Sequence, residues 1–221
     1  MFLGLYNYTT YLTYLNLLSG FFGIIFAVQG QYIPALIFLL LSGICDMFDG
    51  LVSKTKKNRT LFDKRYGVQI DSLADIISFG VLPIFINYSL AFKNNKQEYP
   101  FHEYFIWPVW GLYLLAVLIR LAYYNTLSEN DINKGSKKFI GFPVTTSAIV
   151  FPLLGFFTKL NDSYPWFKIH LGSIMILTFL FLCDKIIIRK PKYKKTIIIF
   201  GLFGLVEIFI LFGVHILRTR S

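Results

Sequence analysis

Charge is scarce in this chain. Only 15% of its 221 residues are Asp, Glu, Lys or Arg, where soluble globular proteins carry about 25%. That shortage argues against a water-soluble fold and for a bilayer as the main solvent. Acid is scarcer still, with 12 Asp and Glu against 22 Lys and Arg, a formal net charge of +10. Cysteine is nearly absent. Cys45 and Cys183 make no CxxC pair and no extracellular disulfide framework, and they read as small buried hydrophobes. The histidines His102, His170 and His215 show no metal-ligand spacing. No Lys or Arg precedes the first apolar stretch and no small-residue cleavage site follows it, so that stretch reads as a retained span rather than a removable signal peptide. The basic residues form no continuous stripe, which argues against a nucleic-acid partner and for charge at a membrane surface.

Apolar runs are what the chain has in abundance. Hydrophobic residues make up 55% of it, including 24 Phe and 14 Tyr. A helix needs about 20 apolar residues to cross the hydrocarbon core. Seven runs meet that need, near Leu12–Val28, Tyr32–Val52, Gln69–Phe92, Phe105–Tyr124, Phe142–Thr158, Trp166–Cys183 and Thr196–Leu217. The expected fold is therefore all-α, a polytopic transmembrane helix bundle forming one membrane-embedded domain over residues 1–221. Pro83, Pro108 and Pro152 fall inside runs, which membrane helices tolerate.

The loops give an independent test. Lys54, Lys56, Lys57, Arg59, Lys64 and Arg65 lie in the second loop. Lys134, Lys137 and Lys138 lie in the fourth, and Lys185, Arg189, Lys190, Lys192, Lys194 and Lys195 in the sixth. The alternate loops are poorer in Lys and Arg. The positive-inside rule then puts the N-terminus and these three loops in the cytoplasm. With seven spans, Arg218 and Arg220 fall on the disfavoured side.

Four of the 12 acids are Asp46, Asp49, Asp71 and Asp75. They are expected at the cytoplasmic end of the second span and the cytoplasmic start of the third. Asp46 and Asp49 are three apart and Asp71 and Asp75 four apart, so each pair shares a helix face. A charged side chain at a helix centre in the membrane costs roughly 3 kcal/mol on insertion scales, less near the interface. A hard divalent cation with oxygen ligands is the natural compensation. The alternative is a set of helix-end carboxylates in contact with water. Asp71 and Asp75 fit that alternative, because acids favour a helix N-terminus. Asp46 and Asp49, near a C-terminal end, do not. Gly50 and Gly67 flank the set and let a ligand approach the backbone.

Together the stretch reads Asp46-x2-Asp49-Gly50-x2-Ser53-Lys54, then Gly67-x3-Asp71-x3-Asp75. This resembles the signature of the CDP-alcohol phosphatidyltransferase family. The run Gly67-Val-Gln-Ile-Asp71-Ser-Leu-Ala-Asp75-Ile-Ile-Ser-Phe-Gly80-Val-Leu-Pro83 is similar to the phosphatidylserine synthase branch. So are Arg120-Leu-Ala-Tyr-Tyr-Asn125 and Phe139-Ile-Gly141-Phe-Pro143, and the likeness covers residues 12–155. Two departures stand out. Ser53-Lys54 occupies the place of the family's alanine-arginine pair. The spacer from Lys54 to Gly67, twelve residues, is longer than the family's. Lysine keeps the charge and loses the bidentate fork, which turns attention to Lys56 or Arg59 as helpers in holding the pyrophosphate.

The resemblance implies a phosphatidyl transfer from CDP-diacylglycerol to L-serine, with CMP leaving. It implies Asp46, Asp49 and Asp71 as ligands of Mg2+ or Mn2+, with Asp75 a ligand or close neighbour and the general base. It implies CDP binding by Asp46, Asp49, Gly50, Ser53, Lys54, Gly67 and Asp71. The acceptor's carboxylate points to Arg120, with Asn125 and Ser78 as polar partners; a snorkelling arginine and a helix-packing serine are the alternatives. It implies a homodimer in the cytoplasmic membrane with its site on the cytoplasmic face. A phosphorylated acceptor, glycerol phosphate or inositol phosphate, would want a second basic group beside Arg120. A divalent-cation transporter would hold its acids at midplane. Glu207, inside the seventh run, is a functional candidate by default, with helix packing or a subunit contact as its plainer role.

Overall fold

The computed structural model describes residues 4–53, 55–56, 58–93, 103–131, 138–140, 142–160, 166–185, 187–189, 204, 206–207 and 213. Its first helix, α1, runs from Tyr8 to Val28 and begins four residues before the expected Leu12. Asn7 starts it. The Asn7 Oδ1 accepts the Thr9 N–H at 3.1 Å, and Thr10 Oγ1 accepts the Asn7 N–H at 3.4 Å. Each bond satisfies an amide that the first turn would otherwise leave unpaired. At the other end Gly30 has φ of 83°. The Gly30 N–H reaches Ala27 O at 3.0 Å and the Gln31 N–H reaches Phe26 O at 2.9 Å. This pair of bonds closes a helix that ends in a left-handed residue, where glycine carries no Cβ penalty. The chain turns at once into α2, Tyr32–Val52, antiparallel to α1 and packed along it.

The third helix, α3, spans Leu61–Asp75. Thr60 and Asp63 cap each other, with Asp63 N–H to Thr60 Oγ1 at 3.0 Å and Thr60 N–H to Asp63 Oδ2 at 3.3 Å. The helix thus starts two turns before the expected Gln69, since capping and the Phe62/Tyr66 pair carry it through a charged stretch without apolar periodicity. It continues through a π-helical segment, Ile76–Val81, into α4, Leu82–Tyr88, and a π turn, Ser89–Lys93. Residues 61–91 form one rod. Pro83 has no N–H for the carbonyl four residues back, Phe79 O. The Tyr113 hydroxyl donates to that oxygen at 2.7 Å.

The helix α5 runs Glu103–Asp131 and contains Pro108. A 3₁₀ turn, Val144–Thr146, leads into α6, Ser147–Leu160, and α7 spans Trp166–Leu182. Two three-residue strands, β1 (Lys138–Ile140) and β2 (Ile187–Arg189), pair antiparallel with Phe139 opposite Ile188. The reading of apolar runs contained no strand. The pairing joins the segments that follow α5 and α7, so both lie on one side of the bundle.

Among the described residues, four helices are long and apolar enough to cross a membrane: Tyr8–Val28, Tyr32–Val52, Leu61–Ala91 and Phe105–Leu127. Val144–Phe157 and Trp166–Leu182 are shorter apolar helices. The expected seventh span lies outside the described residues except at positions 204, 206, 207 and 213. Leu36, Leu39, Phe79, Leu82, Tyr113, Phe151 and Ile174 fill the centre. Phe21, Phe22, Leu112, Leu115, Ile176 and Phe179 point outward. Such a surface is costly in water and matched to acyl chains. The architecture is an all-α polytopic membrane bundle.

Candidate active site

The helices α2 and α3 enter and leave one loop, and α1 holds both. Its buried face is polar, carrying Thr9, Thr10, Thr13, Asn16 and Ser19. Thr13 Oγ1 donates to Asp49 Oδ2 at 3.0 Å, tying α1 to α2. The Asn16 Nδ2 donates to Asp75 Oδ1 at 3.0 Å, tying α1 to α3. A turn deeper, Ser78 Oγ donates to the Asn16 carbonyl at 3.0 Å. Gly20 stands against Ser78, where a Cβ would lie 3.0 Å from Ser78 Cα.

This arrangement gathers the acids. One carboxylate oxygen from each of Asp46, Asp49 and Asp71 lies within 4.8 Å of the other two. Asp71 Oδ1 is buried and has no hydrogen-bond partner among the described residues. Oxygen ligands around a six-coordinate ion at about 2.1 Å lie roughly 3–4 Å apart. The three carboxylates need only a slight contraction to hold a divalent cation, and the orphaned oxygen is the group such an ion would satisfy. The residues present therefore fit a divalent metal. Asp75 lies one turn further along α3, buried at 5% exposure. It is outside the trio.

Asp49 lies in the last turn of α2, whereas Asp71 and Asp75 sit inside the continuous rod of residues 61–91. Because α3 begins at Leu61, Asp71 and Asp75 are more than two turns from its N-terminus. The expectation of a helix start is corrected, and with it the helix-dipole account, since the favourable field fades within the first turn. Those two acids need another counter-charge.

A cavity of about 260 Å³ opens beside the trio, lined by Thr9, Thr10, Thr13, Asp49, Gly50, Ser53, Arg59, Lys64, Gly67, Val68 and Asp71. Gly50 faces open space. A Cβ on Gly67 would lie 2.9 Å from Arg59 Nη2. Ser53 Oγ donates to Gly50 O at 3.3 Å. Lys54 lies outside the described residues. Lys56 is engaged with Asp63 at 3.5 Å.

The three residues expected at the acceptor have different surroundings. Arg120 is buried at 6% exposure, too deep for a snorkelling anchor. Its Nε donates to Phe142 O at 3.2 Å, and its guanidinium lies 4.2 Å from the centre of the Tyr124 ring. It lines a second cavity, about 230 Å³, with Ile119, Tyr123, Phe181, Leu182, Cys183 and Asp184. Asn125 and Ser72 are doubly linked, at 2.9 and 3.1 Å, which joins α5 to α3 beside Asp71. Ser78 faces α1, its hydroxyl donating to the Asn16 carbonyl. It packs helices.

Thr9, Thr10, Thr13, Asn16 and Lys64 are the site residues that sequence reasoning missed. The signal was present in α1, as polar and small residues three or four apart (Thr9, Thr13, Asn16, Ser19, Gly20, Gly23) in an otherwise apolar span. Glu207 is buried, and neither carboxylate oxygen has a partner among the described residues. His170 is buried with its ring stacked on Phe151, centroids 4.7 Å apart.

Comparison with known proteins bears on this geometry. The archaetidylserine synthase of Methanothermobacter thermautotrophicus is 31% identical over 156 residues, 69% of this chain and 60% of that protein. The CDP-diacylglycerol--serine O-phosphatidyltransferase of Helicobacter pylori is 30% identical over 211 residues, 93% of this chain and 81% of the relative. The enzyme of that name from Saccharomyces cerevisiae is 33% identical over 152 residues, 63% of this chain. The chain spans about three fifths of the archaeal relative's length and half of the yeast one's. The family model described as CDP-alcohol phosphatidyltransferase matches residues 6–206, a stretch that takes in both acid pairs, the polar face of α1 and the Arg120 helix, and the chain belongs to that family.

Proposed function

We propose that this protein transfers a phosphatidyl group from CDP-diacylglycerol to the hydroxyl of L-serine, giving phosphatidylserine and CMP. The observation that carries the reading is the convergence of one carboxylate oxygen from each of Asp46, Asp49 and Asp71 within 4.8 Å, beside a cavity whose lining includes Asp49, Asp71, Gly50 and Gly67. A cation held there, Mg2+ or Mn2+, would neutralise the diphosphate and the CMP that leaves. The nucleotide would take the cavity that Gly50, Ser53 and Gly67 line, with Lys54, next to Ser53 in sequence, as a further binding residue. Asp75 accepts the proton of the serine hydroxyl as that oxygen bonds to phosphorus and the bond to CMP breaks. Asn16 holds Asp75 in one orientation for that task. No covalent enzyme intermediate is needed.

The acceptor assignment rests on the names of the relatives and on the second cavity. Arg120 and Asp184 line it together, and no ion pair joins them among the described residues. One cationic and one anionic group suit a zwitterion. Arg120 is the only basic residue in that lining among the described residues, which disfavours glycerol phosphate and inositol phosphate. Asn125 positions α5 against α3. The whole chain acts as one membrane-embedded domain, as a homodimer in the cytoplasmic membrane, with the acids at the cytoplasmic face. The test is CMP release from CDP-diacylglycerol with a panel of acceptors. Release that depends on serine is expected, and release with glycerol phosphate in its absence would defeat the assignment. Metal transport by reconstituted protein without CMP release would favour a transporter.

A further inference from the structure

We propose that Arg59, from the long loop between α2 and α3, supplies the guanidinium that grips the nucleotide diphosphate in this chain; the proposal rests on the phosphatidyl-transfer reading above. The family's arginine position is Lys54 here, an ammonium without the planar fork that matches a phosphate. The loop is correspondingly long, and it brings Arg59 back over the site. Nη1 donates to Ser53 O at 3.3 Å, at the end of α2, and Nη2 donates to Asp63 O at 3.3 Å, in the first turn of α3. Two donors are thus anchored on the two helices that carry the acids. A guanidinium has five.

That leaves Nε and one N–H on each Nη. Arg59 lines the cavity that also holds Asp49, Asp71 and Lys64. Its Nε is buried and has no partner among the described residues. A buried, unpaired N–H on a permanent cation is costly, and an anion in the cavity would satisfy it. Gly67 stands where the guanidinium needs room, because a Cβ there would come within 2.9 Å of Nη2. A diphosphate beside carboxylates needs positive charge close by, which a guanidinium lining the same cavity would supply together with the cation. Lys56, the other cation in reach by sequence, is bound to Asp63 and does not line the cavity. A loop staple would also use the bonds to Ser53 and Asp63, but it gives no reason for a buried Nε without a partner among the described residues on a side chain that lines the cavity of Asp49 and Asp71.

The test uses the full chain in lipid nanodiscs with Mg2+, with CDP as the probe. Arg59→Gln is expected to weaken CDP binding roughly tenfold, the scale of a lost charge-assisted bond. Arg59→Lys, which keeps the charge, is expected to weaken it by roughly threefold. Lys56→Ala should stay within about twofold of wild type. In turnover, Arg59→Gln should raise KM for CDP-diacylglycerol and leave KM for L-serine unchanged. CDP binding at wild-type strength in Arg59→Gln overturns the proposal, and so does an equal rise in both KM values, the mark of a loop staple. Should Arg59→Gln not fold, wild-type CDP affinity in Arg59→Lys overturns it instead. Wild-type protein that binds no CDP in the presence of metal would sink the phosphatidyl-transfer reading itself.

Discussion

Thr13 and Asn16 each spend one side-chain donor on a carboxylate from another helix, Asp49 and Asp75 respectively. Between packed helices such a bond is hard to replace once its donor is gone. Removing a donor from a buried charged partner costs about 1–3 kcal/mol. Asn16→Ala is therefore expected to lower kcat roughly tenfold or more, with KM for CDP-diacylglycerol little changed, because Asp75 lies outside the acid trio. Steady-state CMP release measures both. A wild-type kcat would show that Asn16 merely fills space. Asp71→Asn should abolish CMP release while expression stays near normal, because it removes the charge and trades one carboxylate oxygen of the trio for an NH2 that cannot ligate a cation, at the residue whose Oδ1 is buried without a partner among the described residues. Turnover near wild type in that variant would contradict the site. The acids themselves were legible in the sequence, since four carboxylates beside apolar runs demand a reason. Asn16 was not, because an amide in a span reads equally well as a packing group until its neighbour is known.

At the scale of elements, the site depends on how closely α1 approaches the π-helical continuation of α3. Gly20 makes that approach possible, and Ser78 backbone is what a larger residue would meet. Backbone cannot yield as a flexible side chain can. Gly20→Leu should push α1 outward and draw Asn16, one turn away, from Asp75. A loss of about 1–3 kcal/mol in stability is expected, the usual cost of overpacking, together with a fall of CMP release beyond that seen in Asn16→Ala. Thermal unfolding in detergent and the turnover assay test this together. Normal activity in Gly20→Leu would mean that α1 is not the clamp. The early start of α3 belongs to the same scale. Its first two turns project Arg59's anchor, Asp63, and the exposed Lys64 over the acids. Hydrophobic periodicity is blind to them, because these turns are held by capping and not by burial.

For the molecule as a whole, metal, lipid and topology have to agree. A group that binds the folded state alone raises its stability by mass action. Adding Mg2+ or Mn2+ to chelator-treated protein should raise the unfolding midpoint of wild type and restore CMP release, and should leave the midpoint of Asp71→Asn where it was. A midpoint that ignores metal in wild type would deny the acids their cation. The alternation of basic loops agrees with the β1–β2 pairing, which joins the segments after α5 and α7 on one side. Composition alone determined that the chain lives in a membrane, and spacing alone determined which acids share a helix face, because both are local properties of the chain. Rotation of one helix against another is not local. Only the tertiary structure decided that Ser78 turns to α1, that Asp75 stands apart from the trio, that α1 supplies the clamp and that Arg59 reaches the cavity, since these follow from how neighbouring helices fit and where a loop without periodicity folds back.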